Sequence, residues 1–98
     1  MRYRKIGKAD HDNMRLDKYL KVSRLIKRRT VAKEMVDAGR VKVNGKIAKP
    51  GSEVKAGDQL EIGSGQRQVR AEILAIKEIV RAEEAAGLYQ LLEGAPID

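Results

Sequence analysis

Gly39-Arg40-Val41-Lys42-Val43-Asn44-Gly45-Lys46-Ile47-Ala48 is the stretch on which the fold turns. Val41 and Val43 alternate with the cations Arg40 and Lys42, the period of a half-buried strand. Asn44-Gly45 is the pair that most readily takes the positive φ angles of a two-residue hairpin turn, and Lys46-Ile47-Ala48 is then the return strand. Towards the N-terminus the period becomes helical. Val31, Ala32, Met35 and Val36 form one apolar stripe, Thr30 stands where an N-cap is expected, and Gly39 where a helix ends. Further out, Leu16, Tyr19 and Leu20 mark a first helix from Arg15 to near Ser23. Asp17 falls in its first turn, where a negative charge suits the helix dipole, a structural reading preferred to a catalytic one. Between the helices, Arg24-Leu25-Ile26-Lys27-Arg28-Arg29 is a connector, with Leu25 and Ile26 expected to plug into the core.

Towards the C-terminus, Pro50-Gly51 turns the chain, and Val54 and Gly57-Asp58 lead to the alternating piece Gln59-Leu60-Glu61-Ile62. Gly63-Ser64-Gly65 reads as a loop, and Val69, Ala71, Ile73 and Ala75 as a longer strand. Ala82 to Glu93 reads as a helix with Leu88, Tyr89, Leu91 and Leu92 on its core face. Gly87 is its weak spot, at about 1 kcal/mol relative to Ala. Glu83 and Glu84 complement its dipole, and Gly94 and Pro96 end it. The expected fold is α+β: two N-terminal helices packed on a small, mainly antiparallel sheet, plus a C-terminal helix. Residues 1–13 lack periodicity and are expected to form a flexible basic arm. Met14 would serve as an alternative start.

Composition limits the function classes. Ninety-eight residues suit one domain, and the 42% hydrophobic content suffices for a thin core. With no cysteine and His11 as the sole histidine, disulfides and thiolate metal sites are excluded, and neither a metal nor a cofactor is expected. The basic start has no apolar core of a secretory signal, and no apolar run approaches the roughly 18 residues of a membrane span. A cytoplasmic protein is expected, and a monomer.

Charge is segregated. Residues 1–57 hold 17 Lys/Arg against 6 Asp/Glu, a balance of +11, whereas residues 58–98 hold 4 against 8, a balance of −4. A surface charged only for solubility would mix the signs, so a polyanionic partner for one face is expected. An anionic membrane is the weaker candidate, because no basic segment carries a bulky apolar face.

Lys27, Arg28 and Arg29 stand just before the Thr30 helix, and Lys33 lies in its first turn. Cations there oppose the helix dipole by roughly 0.3–1 kcal/mol each. The conflict disappears if a phosphate is bound by the free N–H groups of the helix entrance and the forked arginine donors. The bland alternative is solvated side chains reaching away from the dipole. Arg15, Lys18, Lys21 and Arg24 from the first helix and its end, and Arg40, Lys42 and Lys46 from the hairpin, would extend the surface. Lys42 and Lys46 equally suit the polar face of a strand.

Two helices joined by a short turn would also fit a DNA-reading helix-turn-helix regulator. The second helix, however, exposes Lys33, Glu34 and Asp37, with no Asn, Gln or Ser for base edges. Three Tyr, no Phe and no Trp make a poor platform for stacking single-stranded bases. Recognition of folded RNA by backbone and shape remains. Catalysis has little support: His11 is isolated, Ser23, Ser52 and Ser64 have no nearby histidine, and residues 63–65 do not extend to a phosphate-cradling motif. A non-enzymatic RNA-binding protein is expected.

The run Met14 to Thr30, Ala32-Lys33-Glu34, Gly39 to Gly45 and Val54-Lys55-Ala56-Gly57-Asp58 resembles the RNA-binding domain named after small-subunit ribosomal protein S-four, the αL-type module, over about residues 14–76. Within that family, Lys21 to Thr30 and the tail Glu83-Glu84-Ala85-Ala86 before Tyr89 are most similar to the bacterial ribosome-associated quality control P (RqcP) group. The resemblance implies an S-four-like domain over 14–76, followed by a C-terminal helix and tail over 77–98. It implies binding to the large ribosomal subunit with a stalled nascent chain, through large-subunit rRNA and peptidyl-tRNA. It also implies support of C-terminal tailing beside a factor that delivers alanyl-tRNA. By position, Arg15 and Arg29 are the implied key RNA contacts, with Lys21, Arg24, Lys27 and Arg28 next. The fifteen-kilodalton heat-shock relatives, which also bind the stalled large subunit, are the alternative within the family. The residues before Met14 depart from the family pattern.

Overall fold

The computed structural model describes residues 13–64, 66–78 and 80–97. The arm and His11 lie outside the described residues, apart from Asn13, which is part of a strand.

Chain order is β1 (Asn13–Arg15), α1 (Leu16–Val22), α2 (Arg29–Asp37), β2 (Val41–Val43), β3 (Lys46–Ile47), β4 (Glu53–Lys55), β5 (Gln59–Ser64), β6 (Arg67–Ile73), α3 (Ala82–Ala85), a 3-10 turn (Ala86–Leu88) and β7 (Tyr89–Glu93). Among the described residues the strands form an antiparallel sheet in the order β3-β2-β5-β6-β7 and a separate β1-β4 pair. Alternation sets the faces: Val41, Ile62 and Val69 are aligned across three strands and buried, as are Leu60 and Ala71 next to the half-buried Val43. The opposite face aligns Lys42, Glu61, Arg70 and Glu93 as alternating charges, closed by an Arg70–Glu93 contact at 3.7 Å. Lys42 is thus a polar-face strand residue.

The helices cover the apolar face. Leu16, Tyr19 and Leu20 from α1, Ala32, Met35 and Val36 from α2, and Leu25 and Ile26 from the connector enter one core with the sheet. Gly39 has φ +76° and ends α2 as expected: its N–H reaches the Val36 carbonyl, and the Arg40 N–H reaches that of Met35, the two bonds of a Schellman motif. Asn44 and Gly45 both have positive φ, as the hairpin turn requires. Asn44 also locks the hairpin tip to the β4–β5 turn, donating from Nδ2 to Asp58 Oδ1 and accepting at Oδ1 from the Gln59 N–H. Asp58 Oδ2 accepts from the Lys55 N–H, so this buried carboxylate is satisfied from two sides.

Four expectations are corrected. The helix over Ala82 to Glu93 is confined to Ala82–Ala85 and its 3-10 continuation, and Tyr89–Glu93 is a strand. Leu88 is buried and Tyr89 half-buried, but Leu91 and Leu92 are exposed rather than core residues. The i, i+3, i+4 spacing of these leucines imitates a helix, yet β6 offers a free edge whose backbone groups need partners. Residues 63 and 64, read as loop, extend β5 in register with Gln68 and Arg67. Residues 13–15 form β1, pairing with β4 through Met14↔Val54, two buried residues. Finally, α2 begins at Arg29 with Arg28 as N-cap, so Thr30 lies inside the helix.

Candidate nucleic-acid interface

The entrance of α1 needs partners for its first N–H groups. Leu16 donates to the Ser52 carbonyl, Asp17 to that of Pro50, and Lys18 to Oδ1 of the Asp17 side chain. The 50–52 turn thus fixes the start of α1 and directs the Asp17 carboxylate inward, where its side chain is 3% exposed. A buried carboxylate requires cationic or N–H partners. Arg15 supplies a two-toothed contact, Nε to Oδ1 at 3.2 Å and Nη2 to Oδ2 at 3.1 Å. Arg29, at the start of α2, places Nη2 3.7 Å from Oδ1.

One buried negative charge thereby gathers two guanidiniums from different elements. Their side chains remain 56% and 51% exposed, so the clasp orients them towards solvent with a surplus positive charge. A cluster tied up wholly by the protein's own carboxylates would leave no such surplus. The sequence placed Asp17 in the first turn of α1 but did not disclose that it gathers the two arginines. Periodicity offered the hint: position 17 neighbours the buried Leu16 and precedes the buried Tyr19 and Leu20, so it lies at the border of the apolar stripe.

Connector geometry adds to the cluster. Ser23 donates to the Tyr19 carbonyl, Arg24 to that of Lys21, Leu25 to the Ser23 hydroxyl and Ile26 to the Leu20 carbonyl. Lys27 donates to the carbonyl of Ile97, at the far end of the chain. These bonds hold Arg24 at φ +64°, a conformation that a side chain with Cβ adopts at a cost. Its Nε is shielded from solvent and meets no acceptor among the described residues. A strained backbone and an orphaned donor on one arginine, inside a basic connector, mark a place built for something besides stability.

The α2 entrance has the character of an anion site. Arg28, Arg29 and Lys33 are exposed, the first turn has no acidic residue, and Arg28 makes no side-chain cap. First-turn N–H groups and surrounding cations then face the same anion.

The remaining sequence-derived candidates are distributed unevenly. Lys18 is held in an ion pair by Glu78, from the segment after β6. Lys21 lies half-buried in the last turn of α1, where its charge suits the dipole. Arg40 follows α2 at the opposite end of a nine-residue helix, roughly 14 Å along the axis from the entrance. There it lines a groove with Gly39, Lys42, Glu61, Gly63 and Gln68. Arg15, Arg24, Arg28 and Arg29 therefore surround the connector and helix entrances, and Arg40 belongs to the sheet end. Beneath α1, the Tyr19 hydroxyl donates to the Leu88 carbonyl at 2.8 Å. Burial raises the Tyr19 phenol well above its ordinary range, with the nearby Tyr89 adding to the effect, and burial raises Tyr89 too. Among the described residues no cluster of three His, Cys, Asp or Glu side chains could hold a metal ion.

Two helices over an antiparallel sheet, with cations at their connector, define an S4-domain protein, and the S4 domain model matches residues 14–60. Over 84 residues the chain is 58% identical to the RQC P-site tRNA stabilizing factor of Halalkalibacterium halodurans, covering 86% of this chain and 96% of that protein. It is 52% identical over 80 residues to the protein of that name from Bacillus subtilis, covering 82% and 93%. The trimeric structure of Vibrio cholerae heat shock protein 15 superposes with a TM-score of 0.73 at 38% identity, covering 81% of each chain. The chain belongs to the family of the RQC P-site tRNA stabilizing factors.

Proposed function

We propose that this protein is a non-enzymatic RNA-binding factor of ribosome-associated quality control. It binds the large ribosomal subunit that carries a stalled nascent chain, contacting rRNA and peptidyl-tRNA, and supports C-terminal tailing beside the factor that delivers alanyl-tRNA. It acts in the cytoplasm as a monomer. One observation carries this reading: a single buried carboxylate, Asp17, holds the half-exposed guanidiniums of Arg15 and Arg29 side by side. Planar forked donors fixed in this way suit phosphate oxygens. Arg24, Lys27, Arg28 and Lys33 extend the contact along the connector and the α2 entrance. The names of relatives that match over nearly their whole length support the P-site tRNA and the quality-control setting. No helix among the described residues is long and apolar enough to cross a membrane.

Co-sedimentation with isolated large subunits at increasing salt tests the proposal. Log K should fall linearly with log salt, with a slope of roughly −0.7 to −0.9 per phosphate neutralised. A slope near zero contradicts it. The likeness to heat shock protein 15 favours a second reading, a heat-shock-type RNA-binding protein that serves ribosome recycling rather than tailing. Tailing of a stalled chain in cells lacking the protein separates the two: loss of tails supports the first and unchanged tails the second. A DNA-reading role is disfavoured by the exposed Glu34 and Asp37 on α2.

A further inference from the structure

We infer that Ile97 is a positioning residue for the RNA-binding connector, so that the far C-terminal end of the chain completes the basic site. Ile97 lies 71 positions beyond its bridge partner Ile26, yet runs parallel to it. Its N–H donates to the Leu25 carbonyl at 2.7 Å, and its carbonyl accepts the Lys27 N–H at 3.0 Å. Its side chain is buried in the same core as Leu25 and Ile26. The connector thus receives its last two backbone bonds from outside the helices it joins. They fall between Arg24 on one side and Arg28 and Arg29 on the other.

Without them, Leu25 and Lys27 lose these two ties, and what links the connector to α2 is the bond that the Arg28 carbonyl accepts from the Ala32 N–H, the helix's own first turn. The Lys27 N–H would turn to water, and Arg24 would lose its fixed spacing from Arg28 and Arg29 at the α2 entrance. Ordering them again on RNA costs entropy at each binding event. The clip contributes to affinity by holding the connector in its bound shape beforehand, and Ile97 need not touch RNA. Arg24 fits this role: its positive φ and orphaned Nε persist only where the surrounding chain over-determines the backbone.

The inference rests on the RNA-binding reading above, and its test keeps the two apart. Full-length wild type, Ile97→Ala, Ile97→Val and Ile62→Ala are compared for binding to isolated large subunits over a salt series. Ile62→Ala makes the same truncation in the buried centre of β5. Ile97→Ala should weaken binding about tenfold and flatten the salt slope by about one phosphate, because connector cations no longer engage together. Ile97→Val should restore both, and Ile62→Ala should leave the slope of its folded fraction unchanged. In the free protein, amide exchange at Lys27 should quicken in Ile97→Ala while that of β5 holds. An unchanged slope in Ile97→Ala, an equal change in Ile62→Ala, or unchanged Lys27 exchange overturns the inference. If wild type itself shows no salt-dependent binding, the RNA reading fails, and Lys27 exchange still decides whether Ile97 fixes the connector.

Discussion

At the scale of the residue, the clasp of Arg15 and Arg29 on Asp17 separates orientation from binding. Arg29→Ala removes an exposed guanidinium whose partner keeps Arg15, so thermal stability should change by no more than about 1 kcal/mol while subunit binding weakens. A large fall in melting temperature would make Arg29 structural. Asp17→Asn removes the charge that collects both arginines. It should cost about 1–3 kcal/mol in denaturant unfolding and also weaken binding, although residue 17 is almost wholly shielded from solvent. Tyr19 gives a pH signature. Its folded pKa is raised by burial, so its contribution is complete below the ordinary tyrosine value near 10 and is lost as pH rises beyond it. Alkaline unfolding curves should therefore be level up to about pH 10 and then fall. Tyr19→Phe should fall less steeply there, at the expense of the hydrogen bond to the Leu88 carbonyl.

At the scale of the element, β2 and β7 carry the sharpest predictions. Val43→Asp places a carboxylate on the apolar side of the hairpin, against Leu60, and should destabilise by a few kcal/mol, in the range of about 2–4. Gly94, with φ +83°, follows β7 where a Cβ would stand 2.4 Å from the Gln68 carbonyl oxygen. Gly94→Ala should lower stability by about 1–3 kcal/mol or more, read from thermal unfolding. These two elements also mark the boundary of what was legible. The hairpin could be read because Asn44-Gly45 is a local signal and its conformation is decided by its own residues. Helix α1 was legible for the same reason, through Leu16, Tyr19 and Leu20. Strand β7 was not, because its form depends on the free edge of β6, which no local pattern reveals. Strand β1 is three residues long and exists through pairing with β4, some forty positions away. In the site, the basic residues were visible as types, whereas the inward turn of Asp17 depends on the carbonyls of Pro50 and Ser52.

At the scale of the molecule, charge segregation along the chain becomes a division of labour. The acidic C-terminal part lends Glu78 to Lys18, Glu93 to Arg70 and Glu61 to the row beside Lys42. Those cations answer to the protein itself. The connector and the α2 entrance keep Arg24, Arg28, Arg29 and Lys33, with Arg15 beside them, and there the surplus is available to a polyanion. The C-terminal segment also returns to this end through Ile97 and through the Leu88 carbonyl that receives Tyr19, so both halves of the chain share one core. The most direct measurement is crosslinking of the protein to RNA in cells, with the RNA sequenced and the attached peptides mapped. Large-subunit rRNA and tRNA should be joined to residues 15–33. Attachment confined to the sheet end around Arg40 and Arg70, or an absence of ribosomal RNA among the products, would contradict it.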